Sequence, residues 1–142
     1  MSSKKLVRVG CGALIVNEKD EVLLLKRSTT RNQNGYWSQP GGAIEFGETV
    51  KQAITREIRE EVNVNIRLIS YLCYTEQIFK KENQHWLAIS YLAKIISGNV
   101  KNLEHHKHSE VKWFPINKLP KKLSKTTRDS TRAYLANIII AE

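Results

Sequence analysis

The stretch from Gly42 to Val64, GAIEFGETVKQAITREIREEVNV, constrains this chain more than any other. It carries Glu45, Glu48, Glu57, Glu60 and Glu61 inside a basic protein, with 23 Lys and Arg against 14 Asp and Glu. Thr49 followed three residues later by Gln52 is a capping-box pair, and Gly47 ahead of it permits a tight turn, so the spacing predicts a helix starting near Thr49. Val50, Ile54, Ile58 and Val62 recur every four residues and draw one apolar stripe for burial. Asn63 tolerates the left-handed conformation and predicts the helix end. On that helix Glu57, Glu60 and Glu61 stand at i, i+3 and i+4, so they form one acidic face. Glu61 falls at the edge of the apolar stripe, with Glu57 beside it.

Partly buried carboxylates repel and desolvate at a cost unless they are protonated or hold a counter-charge. The residues alone leave two readings open. Oxygen-only anionic ligands suit a hard divalent cation, Mg²⁺ or Mn²⁺, better than zinc. Alternatively, Arg56 and Arg59 neutralise the glutamates on an ordinary charged helix.

The arrangement of Gly42, Glu48, Arg56-Glu57-Ile58-Arg59-Glu60-Glu61 and Val64 resembles the Nudix box, the signature of the Nudix hydrolases. Every charged position of the signature is present at its spacing; Asn63 stands where the family usually has glycine. The resemblance implies a Nudix fold, an α/β/α sandwich with a mixed β-sheet, formed by residues 1–142 as one domain. It implies Mg²⁺ or Mn²⁺ held by Glu57, Glu60, Glu61 and the carbonyl of Gly41. It further implies catalytic roles for Glu57 and Glu60, with Arg56 orienting Glu57 and Glu48 shaping the loop. Members of the family differ on whether the general base is the box glutamate or an acid outside the box. The most similar branch is MutT-like, converting a nucleoside or deoxynucleoside triphosphate to monophosphate and pyrophosphate. ADP-ribose-cleaving members typically carry a proline after the box, and none occurs here between Pro40 and Pro115. The competing readings are a hydrolase of ADP-ribose or another nucleoside diphosphate derivative, and a silent domain that binds nucleotide or RNA. Retention of Glu57, Glu60 and Glu61 argues against silence.

The rest of the chain supplies the surroundings. Leu6 to Val16 and Glu21 to Lys26 read as two strands of a hairpin around Asn17 to Asp20. Arg27 then enters a polar loop, Ser28 to Gly35, and matches an arginine that contacts substrate phosphate in relatives. Pro40 precedes Gly41-Gly42, a turn able to bring main-chain groups of Gly42 close to a ligand. Asn65 to Lys80 and Gln84 to Ile96 read as strands joined at Lys81-Glu82-Asn83, their aromatics Phe79, Trp86 and Tyr91 assigned to core packing. His105, His106 and His108 lack zinc-ligand spacing and read as a solvated basic loop. Many relatives carry one further acid outside the box, and the resemblance makes Glu104 or Glu110 its candidate without assigning it, with Glu104 also a candidate for substrate binding. Val111 to Pro115 reads as a short strand, Ile116 to Leu119 as a brief helical turn, and Thr126 to Ala141 as a helix with Tyr134, Leu135, Ile138 and Ile139 as its apolar side.

Composition sets the outer bounds. With 142 residues and 41% hydrophobic content the chain can bury a real core, and its net +9 favours anionic partners. Cys11 and Cys73 form no CxxC pair and read as buried, reduced thiols. No apolar run reaches signal-peptide or membrane-spanning length, so a cytoplasmic protein is expected. The expected partners are a small nucleotide and, at most, a second copy of the chain; neither a membrane nor a stable nucleic-acid partner is expected.

Overall fold

Two short apolar runs, Ala13 to Val16 and Val22 to Leu25, are buried along their whole length. A strand buried on both faces must sit between two cores, because successive side chains point to opposite sides. The computed structural model, which describes residues 5–28 and 34–141 and side chains to residue 137, shows this division. Ala13, Ile15, Leu23 and Leu25 join one core with Ala53, Ile54, Ile58 and Val62 of the box helix. Leu14, Val16, Val22 and Leu24 join the other, against which Ala133 and Tyr134 pack.

The strands are β1 (Val7–Ile15), β2 (Glu21–Arg27), β3 (Trp37–Ser38), β4 (Gly41–Ala43), β5 (Val64–Phe79), β6 (Gln84–Gly98) and β7 (His108–Pro115); the helices are α1 (Val50–Val62) and α2 (Lys125–Ala141). They form a mixed sheet in the order β4-β1-β6-β5, with β1 parallel to β6, and an antiparallel sheet β3-β2-β7. Helices α1 and α2 belong to opposite cores, which makes the expected α/β/α sandwich.

Helix α1 forms for local reasons. The Thr49 hydroxyl accepts the Gln52 N–H at 3.1 Å, and the Gln52 side chain accepts the Thr49 N–H at 2.9 Å. Asn63 closes the helix at φ 66°, the left-handed region. The expected hairpin of β1 and β2 does not form. The chain turns at Asn17, whose side chain accepts the N–H groups of Lys19 and Glu21, but only the Val16–Val22 bridge joins the arms before they diverge into separate sheets. A hairpin of two fully apolar runs would leave one face of each without a partner, and the divergence buries both. The hairpin of β5 and β6 does form, through a short 3₁₀ turn, Lys80–Glu82, and left-handed Asn83.

Two further expectations change. Ile116 to Leu119 is a hydrogen-bonded turn, Lys118 N–H to Pro115 O, without a helix. Leu135 is exposed at 41%, and α2 instead buries Thr127, Ser130 and Thr131. These small side chains allow close approach: Thr127 Oγ1 accepts the Gln39 N–H at 2.8 Å, and Ser124 Oγ donates to Ser38 Oγ at 3.0 Å. The side chains of Ile138 and Ile139, and residues 29–33 of the expected polar loop, lie outside the described residues. Among the described residues no helix is long and apolar enough to cross a membrane.

Candidate active site

The segment Tyr36 to Ala43 crosses from one sheet to the other, with β3 and β4 on either side of Gln39-Pro40. This crossing presses Gly41 and Gly42 between β1 and the acidic face of α1. A side chain at Gly41 would overlap the Cys11 carbonyl, and one at Gly42 would overlap the Glu57 carboxyl group. The Gly41 N–H donates to Glu61 Oε1 at 2.8 Å, so the crossing is tied to the helix through a site residue.

Arg56 organises the outer carboxylates. Its Nε and Nη2 donate to the two oxygens of Glu48 at 2.6 and 2.9 Å, a bidentate fork. Its Nη1 donates to Glu57 Oε2 and Glu60 Oε1, both at 3.1 Å, and Nη2 also reaches the Ala43 carbonyl at 3.1 Å. The guanidinium therefore fixes three carboxylates at once, with the Glu45 N–H adding a 2.9 Å bond to Glu48. These donors hold the Glu48 carboxyl down at about 2, whereas burial pushes Glu57 up despite Arg56. Glu60 lies outermost, with its side chain about half exposed.

The inner part of the site adds a segment outside the box. The loop after β6 is laced to the end of α1: Asn63 Nδ2 donates to Asn99 O, Lys101 N–H to Val62 O and Leu103 N–H to Glu61 O. This places Glu104 and His108 beside Glu61, with one ligand atom from each within 4.8 Å of the others. His108 Nε2 lies 3.8 Å from Glu61 Oε2. The contact is not an ion pair near neutral pH. Burial, aided by the Glu57 and Glu104 charges, lifts the Glu61 carboxyl to about 8. Burial and the nearby cations Arg27 and Lys107 lower the His108 imidazole to about 4. Glu104 Oε1 and His108 Nδ1 are buried without hydrogen-bond partners. Two carboxyl groups and an imidazole whose ligand atoms lie this close in a buried setting are what a cation would satisfy, so the residues fit a divalent ion.

On the other side of Gly41 and Gly42 lies a cavity of about 290 Å³. Arg27, Gln39, Gln77, Phe79, Gln84 and Trp86 contribute to its wall. The aromatic assignment to the core holds for Tyr91, which packs on the α1 side. It fails for Phe79 and Trp86, since β5 and β6 extend past the core and carry these rings to the cavity.

The structure thus gathers Gly41, Gly42, Arg56, Glu57, Glu60, Glu61 and Glu104, with Arg27 in the cavity wall and electrostatically coupled to Glu61. Glu110 stands apart, facing Lys26 across the β2–β7 ladder with Nζ to Oε2 at 3.9 Å. His108 does not belong to a solvated loop as expected; of the three histidines, His105 and His106 are exposed and His108 is not. The signal for His108 was its position four residues after Glu104: the turn between them donates the His108 N–H to Glu104 O at 3.0 Å.

Comparison with known proteins agrees with this arrangement. The NUDIX domain family matches residues 6–134. The chain is 32% identical over 127 residues to an RNA pyrophosphohydrolase of Orientia tsutsugamushi (strain Boryong), covering 79% of this chain and 77% of that protein. It is 32% identical over 107 residues to an ADP-ribose pyrophosphatase of Methanocaldococcus jannaschii, covering 75% of this chain and 62% of that one. Among solved structures it is similar to a MutT NUDIX hydrolase from Burkholderia pseudomallei, with TM-score 0.85, 35% identity and coverage of 90% and 98% of the two chains. The chain belongs to the Nudix hydrolases and is a hydrolase of pyrophosphate bonds.

Proposed function

We propose that this enzyme hydrolyses a nucleoside or deoxynucleoside triphosphate to the monophosphate and pyrophosphate, with Mg²⁺ or Mn²⁺. The observation that carries the reading is the shared wall. The cavity and the acidic site meet at Gly41-Gly42, so a base held by Phe79 and Trp86 would direct its phosphates toward Glu57 and Glu61. A volume of about 290 Å³ sits at the small end of ligand sites and suits one nucleoside better than the two sugars of ADP-ribose.

The chemistry is limited by charge. An anionic phosphoryl group repels its nucleophile, and catalysis consists of neutralising that charge and positioning a water. A bound divalent cation supplies electrostatic stabilisation and a more acidic water. Glu57, Glu60, Glu61, Glu104 and the Gly41 carbonyl are the groups to hold it. Arg56 engages Glu57 Oε2 and fixes the orientation of that carboxylate, so Glu57 is the base that takes the water's proton. Arg27, in the cavity wall beside Glu61, is the cation placed to meet substrate phosphate.

A second reading shares the chemistry but enlarges the leaving nucleotide to the 5′-triphosphate end of an RNA. It is favoured by exposed Lys121, Lys122, Lys125, Arg128 and Arg132 around the start of α2, next to Thr126 of the cavity wall. Incubation with Mg²⁺ and a panel of NTPs, dNTPs, ADP-ribose, nucleotide sugars and 5′-triphosphorylated RNA, followed by chromatography of the products, separates the readings. Monophosphate and pyrophosphate from free triphosphates, lost in Glu57→Gln and Glu61→Gln, is the expected result. Turnover confined to ADP-ribose or sugar nucleotides would overturn it.

A further inference from the structure

A hard-cation site made only of carboxylates and a carbonyl has no use for an imidazole, yet His108 is built into this one. It opens β7 and pairs with Arg27 of β2 just after a bulge between Lys26 and Arg27. Its N–H donates to Glu104 O at 3.0 Å, its carbonyl accepts Asn102 Nδ2 at 2.7 Å, and Asn102 Oδ1 accepts the Glu104 N–H at 3.2 Å. One hydrogen-bonded turn therefore sets Glu104 and His108 side by side, facing Glu61.

The distances suit a shared ion. Two atoms each about 2.1 Å from one cation stand at most about 4.2 Å apart. The three ligand atoms here lie within 4.8 Å of one another, and His108 Nε2 is 3.8 Å from Glu61 Oε2. A closing of about 0.6 Å between the most widely separated pair brings them within that limit. Glu104 Oε1, with Lys107 Nζ at 3.7 Å, and the second ring nitrogen, His108 Nδ1, are buried without hydrogen-bond partners, so both side chains of the turn keep unmet hydrogen-bonding capacity. Exposed His105 and His106, three and two residues away, have no such placement.

We propose that His108 is a nitrogen ligand, completing with Glu61 and Glu104 a mixed nitrogen and oxygen site that prefers Mn²⁺ or a neighbouring first-row ion over Mg²⁺. Imidazole binds such ions well, whereas Mg²⁺ keeps to oxygen and water. This inference rests on the metal-dependent reading of the site, and its test separates the two.

The full-length protein, treated with chelator, is titrated with MnCl₂ and followed by electron paramagnetic resonance for binding and by electron spin echo envelope modulation for coupled nitrogen. The expected result is bound Mn²⁺ with ¹⁴N modulation in the wild type. In His108→Gln the modulation disappears and Mn²⁺ affinity falls by about tenfold or more, while Mg²⁺ affinity is unchanged, so Mg²⁺ displaces Mn²⁺ more readily; His106→Gln retains the signal. Bound Mn²⁺ without ¹⁴N modulation in the wild type, or modulation that survives in His108→Gln, overturns the assignment of His108 and leaves the metal reading standing. No bound Mn²⁺ at all overturns both. The wild-type spectrum decides even where a variant fails to fold.

Discussion

The backbone of Gly42 lies against the carboxyl group of Glu57 so closely that no side chain fits between them. The strand and the helix are held independently, Gly42 by pairing with Cys11 of β1 and Glu57 by its place on α1, so the close approach is set by the fold. In Gly42→Ala the movable partner is the end of a flexible side chain, and the Glu57 carboxylate is displaced while the chain still folds. We expect kcat/KM to fall by about 100-fold, the cost of a misplacement near 1 Å, with little change in the thermal midpoint. Steady-state kinetics beside a melting curve checks this; a variant as active as wild type would remove Glu57 from the chemistry.

The Arg56 fork predicts an acid-side stability signature. Glu48 titrates near 2 in the folded protein because Arg56 and the Glu45 N–H hold its charge, against an ordinary value of 4.5. A depressed carboxyl stabilises the fold at pH values above 4.5, and that contribution is lost as pH falls toward 2. Glu48→Gln should therefore be less stable than wild type at pH 6, with the gap closing between about pH 4.5 and 2. Urea melts at several pH values would show it; a gap independent of pH would mean that the side chain acts by packing.

At Asn63 the family's usual glycine is replaced, and the structure gives the side chain employment. It holds φ at 66° and donates Nδ2 to Asn99 O at 3.0 Å. Asn63→Ala should destabilise by about 1–2 kcal/mol, because alanine keeps the Cβ strain of the left-handed region and loses both the bond to Asn99 O and the amide that makes asparagine tolerant of it. Asn63→Gly should lie closer to wild type, since relief of backbone strain offsets the lost hydrogen bond. Denaturant unfolding of the pair ranks them; equal losses in both would place the whole effect in the side-chain bond.

The thiols should be inert. Burial, with the Glu57 charge adding to it, pushes the Cys11 thiol up to about 12, and burial also raises Cys73. Since the thiolate is the nucleophile, native protein at pH 8 should resist alkylation and react at both positions only on unfolding. Mass spectrometry after iodoacetamide treatment tests this, and rapid native labelling of Cys11 would contradict its placement in the core.

Legibility in the sequence followed the range of the interactions. Helix α1 was readable to its terminal residues because Thr49, Gln52 and Asn63 act within one turn, and Glu57, Glu60 and Glu61 share a face by spacing alone. The division between β1 and β2 was not, because the polar turn at Asn17 looks the same whether the arms pair or part. What separates them is the second core formed with α2, which no local pattern contains. Phe79 and Trp86 were misassigned for a related reason: alternation tells which face a residue occupies, while reaching the cavity depends on how far β5 and β6 extend past the helices. His108 was hidden by its neighbours. Three crowded histidines read as one loop, although the first residue of a strand differs from the two before it.

The lacing of residues 99, 101 and 103 to residues 63, 62 and 61 has a thermodynamic consequence. Ligands drawn from distant parts of a chain ordinarily lose conformational freedom when an ion gathers them, and affinity suffers by that amount. Here the gathering is completed at the end of α1 by two backbone hydrogen bonds and one from the Asn63 side chain, with no ion needed. On the proposed assignment the site is preorganised, so substitutions at Glu104 or His108 would alter which ion is held without altering how the loop folds.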